Sequence, residues 1–262
     1  MTNKAKILDF IEKRGRATSR EITKEIGVSR QYINLVIADL AAENKVIKLG
    51  RTRWAFYATP AYLSKHPEII PTSFKKRYAN RSLEEHRVFL EIEDKLPQLK
   101  ELPENVRSIF IFAFSEMFNN AIEHSVSKVI FAEVMLRDGF LSFVVNDSGI
   151  GVFRNVMKKR NLKSEIEAIQ DLLKGKTTTM PRTHSGEGIF FTSKAGDVFM
   201  LDSFGQMLTI DNLKNDITAR HTTAIKRGTR VAFRISVDSN RHLNDIFKKY
   251  TNINDGSDYG FD

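Results

Sequence analysis

The sequence predicts an α+β protein in two parts: a small basic domain of helices with a β-ribbon, then a larger α/β sandwich with a mixed sheet. Three observations carry this expectation. In residues 1–60, apolar residues recur three times at helical spacing and then give way to two short strand-like segments. The same stretch holds 12 Lys/Arg against 6 Asp/Glu, so a surplus of six of the chain's net +9 charges lies in less than a quarter of its length. From residue 104 onward, a long apolar helical segment precedes β-branched and aromatic runs punctuated by spaced glycines.

The totals are compatible with such a chain. Of its 262 residues, 41% are hydrophobic and 28% charged, the balance of a folded protein with a core. No apolar run approaches the roughly 18–20 residues that span a bilayer. The N-terminus, MTNKAKILDFIEKRG, lacks the apolar stretch and cleavage site of a signal peptide. With no cysteine present, disulfides and thiolate metal sites are excluded. A cytoplasmic protein without membrane association is expected. The clustered positive charge points to a polyanion partner, most often nucleic acid.

Within residues 1–60, Ile7, Leu8, Phe10 and Ile11 form the apolar stripe of a first helix, ended by Arg14-Gly15. Thr18 or Ser19 can cap a second helix containing Ile22 and Ile26; three residues after Ser19 stands Ile22, so a simple cap is expected rather than a capping box. Gly27 supplies a tight turn, and Ser29 caps a third helix from Arg30 to about Glu43, with Ile33, Val36, Ile37 and Leu40 on its buried face. Val46–Leu49 and Trp54–Tyr57 read as two strands joined by a short basic turn at Gly50.

The string TSREITKEIGVSRQYINLVIADLAAENKVIKLGRTRWAFYA resembles the winged helix-turn-helix domains of bacterial transcription regulators over essentially all of residues 1–60. In that geometry the N-terminal residues of the second motif helix face the major groove of double-stranded DNA. Here they are Ser29, Arg30, Gln31, Tyr32 and Asn34. Arg30 and Gln31 have the chemistry for guanine and adenine edges, and Arg51 and Arg53 on the wing are placed for phosphate or minor-groove contact. A winged helix used only for protein contacts is the alternative.

Residues 61–103 read as a connector. Pro60, Pro67 and Pro71 are expected to break regular structure, and a helical pattern runs from Ser82 to about Leu99, suited to packing on the next domain or to pairing in a homodimer. His86 in this helix lacks the proline-bearing surroundings of a phospho-acceptor and reads as structural.

Three motifs in residues 104–238 carry chemistry. In SIFIFAFSEMFNNAIEHS, an apolar helix presents Glu116 and Asn120, four apart and so on one face. A carboxylate and an amide on a buried helix need partners, and phosphates with hydrated Mg²⁺ would satisfy both. In LSFVVNDSGIGVF, the strand Leu141–Val145 runs into Asp147, Gly149 and Gly151, an acceptor at a strand end beside glycines that permit close backbone approach to a ligand. In THSGEGIFFTSKAGD, Gly186 and Gly188 precede a helix start, an anion site in which phosphate is the expected ligand. No Gly-Lys-Ser/Thr follows at Walker A spacing.

In this order the motifs resemble the GHKL ATPase superfamily, or Bergerat fold, over roughly residues 104–236; the local likeness is greatest to anti-sigma-factor serine kinases and histidine-kinase-like ATPases. The resemblance implies ATP and Mg²⁺ as cofactors. It implies that Asn120 ligands Mg²⁺ and that Glu116 orients or deprotonates the attacking nucleophile. Asp147 would bind the adenine amine, Gly149 and Gly151 would shape the pocket, and Gly186 and Gly188 would wrap the phosphates. Thr229 would help hold adenine, and Val152–Ser185 would be a lid with Lys174, Lys176 and Arg182 near the phosphates.

Strands are expected at Val129–Val134 and Leu141–Val145, hairpinned around Asp138-Gly139, and at Val198–Leu201, Met207–Ile210 and Val231–Ile235. Residues 239–262 read as a polar tail with a short helix from Leu243 to Tyr250. The resemblance also implies a STAS-like partner, supplied separately or by a further C-terminal domain. The fused modules lead to an ATP-dependent transcription regulator, with slow ATP hydrolysis. A protein serine/threonine kinase of the anti-sigma type and a non-catalytic ATP-sensing switch are the alternatives.

Overall fold

The computed structural model describes residues 2–49, 55–174, 187–223 and 227–252. The chain is an α+β protein divided into two compact units, Met1–Thr72 and Ser73–Asp262. No described helix is long and apolar enough to cross a membrane.

In the first unit, α1 (Asn3–Arg14), β1 (Arg16–Thr18), α2 (Ser19–Ile26) and α3 (Arg30–Ala42) precede β2 (Ile47–Leu49), β3 (Phe56–Ala58) and α4 (Pro60–Lys65). The three strands form an antiparallel sheet in the order β1-β3-β2. Ile7, Ile11, Ile22, Ile33, Val36, Ile37 and Leu40 are buried together, so the apolar stripes expected for the three helices meet in one core. Ser29 caps α3, its hydroxyl accepting from the Tyr32 amide at 3.2 Å. The caps also hold a correction. The N-cap of α2 is Thr18, one residue earlier than the position tested for a box, and Glu21 stands three residues on. Thr18 Oγ1 accepts from the Glu21 amide at 3.3 Å and the Thr18 amide donates to Glu21 Oε2 at 2.8 Å, a complete capping box.

The second unit is β4 (Ser73–Ala79), α5 (Glu85–Lys95), α6 (Glu104–His124), β5 (Val129–Arg137), β6 (Phe140–Asp147), α7 (Val152–Lys159), α8 (Glu165–Lys174), α9 (Glu187–Ala195), β7 (Val198–Ser203), β8 (Gln206–Asp211), β9 (Asp216–His221), β10 (Arg230–Ser236) and α10 (Leu243–Asn252). Its seven strands run β4-β5-β6-β10-β7-β8-β9. Every described pairing is antiparallel, which corrects the mixed sheet expected from the sequence. Asp138 and Gly139, both at positive φ, close the β5–β6 hairpin in the two-residue turn the sequence predicted.

Helix α6 is the centre of this core. Phe110, Phe114 and Phe118 recur every four residues, and their rings stack along the helix at 6.4 and 5.4 Å. Phe143 of β6 meets Phe110 and Phe114 edge-on at 5.7 and 5.5 Å and stacks on Phe233 of β10 at 5.1 Å. Full burial of each such ring contributes on the order of 2–3 kcal/mol, which fixes the position of α6 on the sheet.

The segment expected as a connector belongs to the two units instead. Pro60 and Pro67 occupy first-turn positions, of α4 and of a short 3₁₀ turn at Pro67–Ile69, where a missing N–H is not needed. Ser73–Ala79 is an edge strand, its Lys76 ion-paired with Glu91 of α5 at 2.7 Å. On α5, Glu93 is buried and accepts from Arg107 of α6 at 2.6 Å. Within the expected polar tail, the short helix forms as α10 (Leu243–Asn252) and is docked, while residues 253–262 lie outside the described residues. Phe247 of α10 contacts Phe112 and Phe191 at 5.3 and 4.8 Å, and Tyr250 contacts Phe190 at 5.6 Å.

The capping box of α2 gives a testable sign. The Thr18 amide, then its hydroxyl, hold the Glu21 carboxyl below its ordinary value near 4.5. A carboxyl whose pKa is lower in the folded state stabilises above the unfolded value and loses that contribution as pH falls through the folded one. Thr18→Ala is expected to cost about 1 kcal/mol at neutral pH. The deficit of Glu21→Gln should shrink as the pH drops below 4.5. Urea denaturation followed by Trp54 fluorescence checks both; a pH-independent Glu21→Gln deficit contradicts the assignment.

Candidate functional site

The C-terminal half of α6, the end of β6 and the start of β10 converge because backbone and side-chain bonds tie them. The Asp147 amide donates to the Thr229 carbonyl at 2.9 Å, and Asp147 Oδ1 accepts from the amides of Gly149 and Thr229 at 2.8 and 3.3 Å. Thr229 Oγ1 accepts from the Val152 amide, which opens α7, at 2.9 Å. The turn after β6 is fixed to α6 as well, since the Ile150 amide donates to the Ser125 carbonyl at 2.9 Å. The Ser148 amide donates to Ser127 Oγ at 3.2 Å.

Two glycines are required by this closeness. A Cβ on Gly149 would stand 1.8 Å from the Ser125 carbonyl oxygen. Gly228 has φ +80°, and a Cβ there would lie 2.3 Å from the Asp147 oxygen. The end of α6, the turn after β6 and the start of β10 are therefore parts of one junction.

The junction opens into a cleft of about 580 Å³, part of it open solvent. Its apolar lining comes from Met117 and Ala121 of α6, Val145 of β6, Val156 of α7, Ile189 of α9 and Val231 of β10. Its polar lining is Asn120, His124, Ser125, Asp147, Asn155, Lys159 and Thr229. Asp147 is only 4% exposed. The buried Nδ2 of Asn120 has no hydrogen-bond partner among the described residues. An orphaned buried amide costs about 1–3 kcal/mol, and a ligand acceptor in the cleft would recover it. Among the described residues no three His, Asp or Glu side chains cluster as a metal-binding group.

The cleft thus unites Asn120, Asp147, Gly151 and Thr229, residues drawn from three distant parts of the sequence. Gly149 forms the neighbouring turn without lining the cavity. Glu116 stands apart from the lining and faces the start of α9: a Cβ on Gly188 would fall 2.0 Å from Glu116 Oε2. Gly186, Lys176 and Arg182 lie outside the described residues. The expected lid segment begins as two helices, α7 and α8. Lys174 at the end of α8 is exposed and does not line the cleft.

Four polar lining residues, His124, Ser125, Asn155 and Lys159, were not among the expected site residues. His124 is one turn beyond Asn120 on α6, so the spacing that paired Asn120 with Glu116 also places His124 on that face. Asn155 and Lys159 are four apart on α7 and carry no motif that separates them from a solvated helix face.

In the first unit, Ser29, Arg30, Gln31, Tyr32 and Asn34 are all exposed, along one end of α3 opposite its buried stripe. Arg51 and Arg53 lie outside the described residues. Scanned against models of protein families, the chain matches none, and no curated protein is significantly similar to it in sequence.

The two glycines at close contacts should respond differently to substitution. Gly149→Ala drives a methyl group into backbone and is expected to cost more than about 1 kcal/mol, lowering the thermal midpoint by at least about 2–4 °C. Gly188→Ala meets only the tip of the Glu116 side chain, which can rotate, so its cost should be smaller. Thermal denaturation of both variants checks this; equal losses would contradict the contacts described.

Proposed function

We propose that the Ser73–Asp262 unit is a nucleotide-binding module of the GHKL (Bergerat) type that binds ATP with Mg²⁺. In the same reading the Met1–Thr72 unit is a winged helix-turn-helix that binds double-stranded DNA. The chain then acts as a transcription regulator in which ATP controls DNA engagement. The observation that carries the nucleotide assignment is the convergence of Asn120, Asp147 and Thr229 on one cleft whose remaining lining is largely apolar. An apolar slot ending in a buried carboxylate suits a planar base with an exocyclic amine.

In this reading Asp147 accepts from the adenine amine and Thr229 holds the ring edge beside it. Lys159 provides positive charge, and His124 a ring nitrogen for hydrogen bonding, to the phosphates. The donor set fits a hydrated magnesium ion, which needs only one or two protein ligands beside phosphate and water: Asn120 would hold it through its amide oxygen. The metal supplies charge neutralisation to the phosphates. The place of Glu116 beside Gly188, off the cleft lining, favours a second reading, the non-catalytic ATP-sensing switch. A serine/threonine kinase acting on a STAS-like partner requires Glu116 to reach a hydroxyl nucleophile.

For DNA, the exposed N-terminal end of α3 supports the assignment. Its Ser29, Arg30, Gln31, Tyr32 and Asn34 offer donors and acceptors suited to base edges and phosphates.

Titration calorimetry with MgATP is expected to show one site on the wild-type chain, lost in Asp147→Asn. Glu116→Ala should retain binding; if the protein hydrolyses ATP or transfers phosphate, this variant loses turnover. Fluorescence anisotropy on duplex DNA at low salt should give affinity that Arg30→Ala weakens by about 1–3 kcal/mol and that MgATP shifts. Absence of nucleotide heat contradicts the first assignment, and DNA affinity indifferent to MgATP contradicts the coupling.

A further inference from the structure

Away from the nucleotide cleft, a second cavity of about 680 Å³ lies between the end of α9, the β8–β9 turn and α10. Its basic groups divide into those already committed and those left over. Arg241 is committed: its guanidinium donates to the buried Asp197 at 2.7 Å and to the Gly196 carbonyl at 2.8 Å. The Asn212 amide nitrogen is bound to the carbonyls of Ser193 and Gly196 at 2.7 and 2.8 Å. Lys194, Lys249 and His242 are left over, having no carboxylate within ion-pair distance among the described residues, and Asn215 and Asn240 add amides to the same walls.

The two ammonium groups border the same aromatic ring. Lys194 Nζ lies 5.7 Å from the centre of the Tyr250 ring, and Lys249 Nζ lies 5.4 Å from the same ring. Lys194 is half-buried, and its burial, followed by the charge of Lys249, pushes its pKa down. Contact with an aromatic face offsets part of the desolvation but does not neutralise charge. Two like charges gathered in a concave, partly dry site repel each other unless an anion joins them.

One acid belongs to the cavity. Asp245 stands a turn before Lys249 on α10 and forms no ion pair with Lys249 or Lys194 among the described residues. A carboxylate at an anion site rejects a fully deprotonated anion but accepts a hydrogen bond from one that carries a hydroxyl. Phosphate keeps such a proton near neutral pH, whereas sulfate has none.

We propose that this cavity is a second ligand site, distinct from the nucleotide cleft, which takes the phosphate group of a small anion between Lys194, Lys249 and His242. Asp245 selects for the protonated oxygen, and the uncommitted amides of Asn215 and Asn240 add donors. The site costs the apo-protein stability, because its charges are assembled without a counter-ion.

The test is thermal denaturation of the full chain in inorganic phosphate, sulfate or chloride at matched ionic strength. Wild type, Lys194→Met and Asp147→Asn are compared; methionine keeps an unbranched side chain beside Phe190 and Tyr250 without the charge. In chloride, Lys194→Met should melt no lower than wild type. Phosphate at tenfold excess over its Kd should raise the wild-type midpoint by about 3 °C above chloride. That increment should persist in Asp147→Asn and disappear in Lys194→Met. An increment unchanged in Lys194→Met, lost in Asp147→Asn, matched by sulfate or absent from wild type would overturn the proposal. Adding a small phosphomonoester as a further arm separates a preference for free phosphate from one for an esterified group.

Discussion

The larger unit is organised by the bonds between Asp147 and Thr229. This pair joins the end of β6 to the start of β10 through the Asp147 amide and through its carboxylate. From that point Gly149 packs on the Ser125 carbonyl, drawing in the end of α6, and Thr229 Oγ1 receives the first amide of α7. The aromatic column Phe110–Phe114–Phe118 presses α6 onto the sheet below. Removing the Asp147–Thr229 bonds would loosen the walls formed by the end of β6, the start of α7 and the start of β10 together, because each is fastened at this junction.

The same economy explains why so much of the site is polar where the core could have been apolar. An unsatisfied Asn120 amide and a buried Asp147 carboxylate are unfavourable in an empty protein. They persist on a rigid frame, two strands and a long helix, which holds them in place without ligand. The basic cavity beside α10 follows the same pattern at a different place, with ammonium groups in the role of the orphaned amide.

Much of this was legible in the sequence because a few residues leave strong marks. Helix α3 declared its buried face through Ile33, Val36, Ile37 and Leu40, and the β5–β6 hairpin through Asp138-Gly139 between alternating apolar runs. Asn120 stood out as an amide on an otherwise apolar helix and Asp147 as a carboxylate at a strand end beside glycines, whereas Thr229 was pointed to by the family resemblance alone. Strands β4 and β9 did not. In β4, Lys75, Lys76 and Arg77 obscure the alternation of Phe74 and Tyr78, and β9 is exposed on both faces, so it has no apolar period to read. Strand direction was beyond the pattern too: alternation is the same in parallel and antiparallel pairs, and only long-range register distinguishes them. His124, Asn155 and Lys159 became site residues only when α6 and α7 were placed beside one cleft.

In the proposed function, segments distant in sequence close around one ligand. Hydrogen–deuterium exchange on the whole chain with and without MgATP tests it most directly. The account expects slower exchange together in the end of α6 around Asn120–Ser125, in the turn 147–151 and at 228–231, with β9 unchanged. Protection confined to one of these segments, or absent from all three at saturating nucleotide, would contradict it.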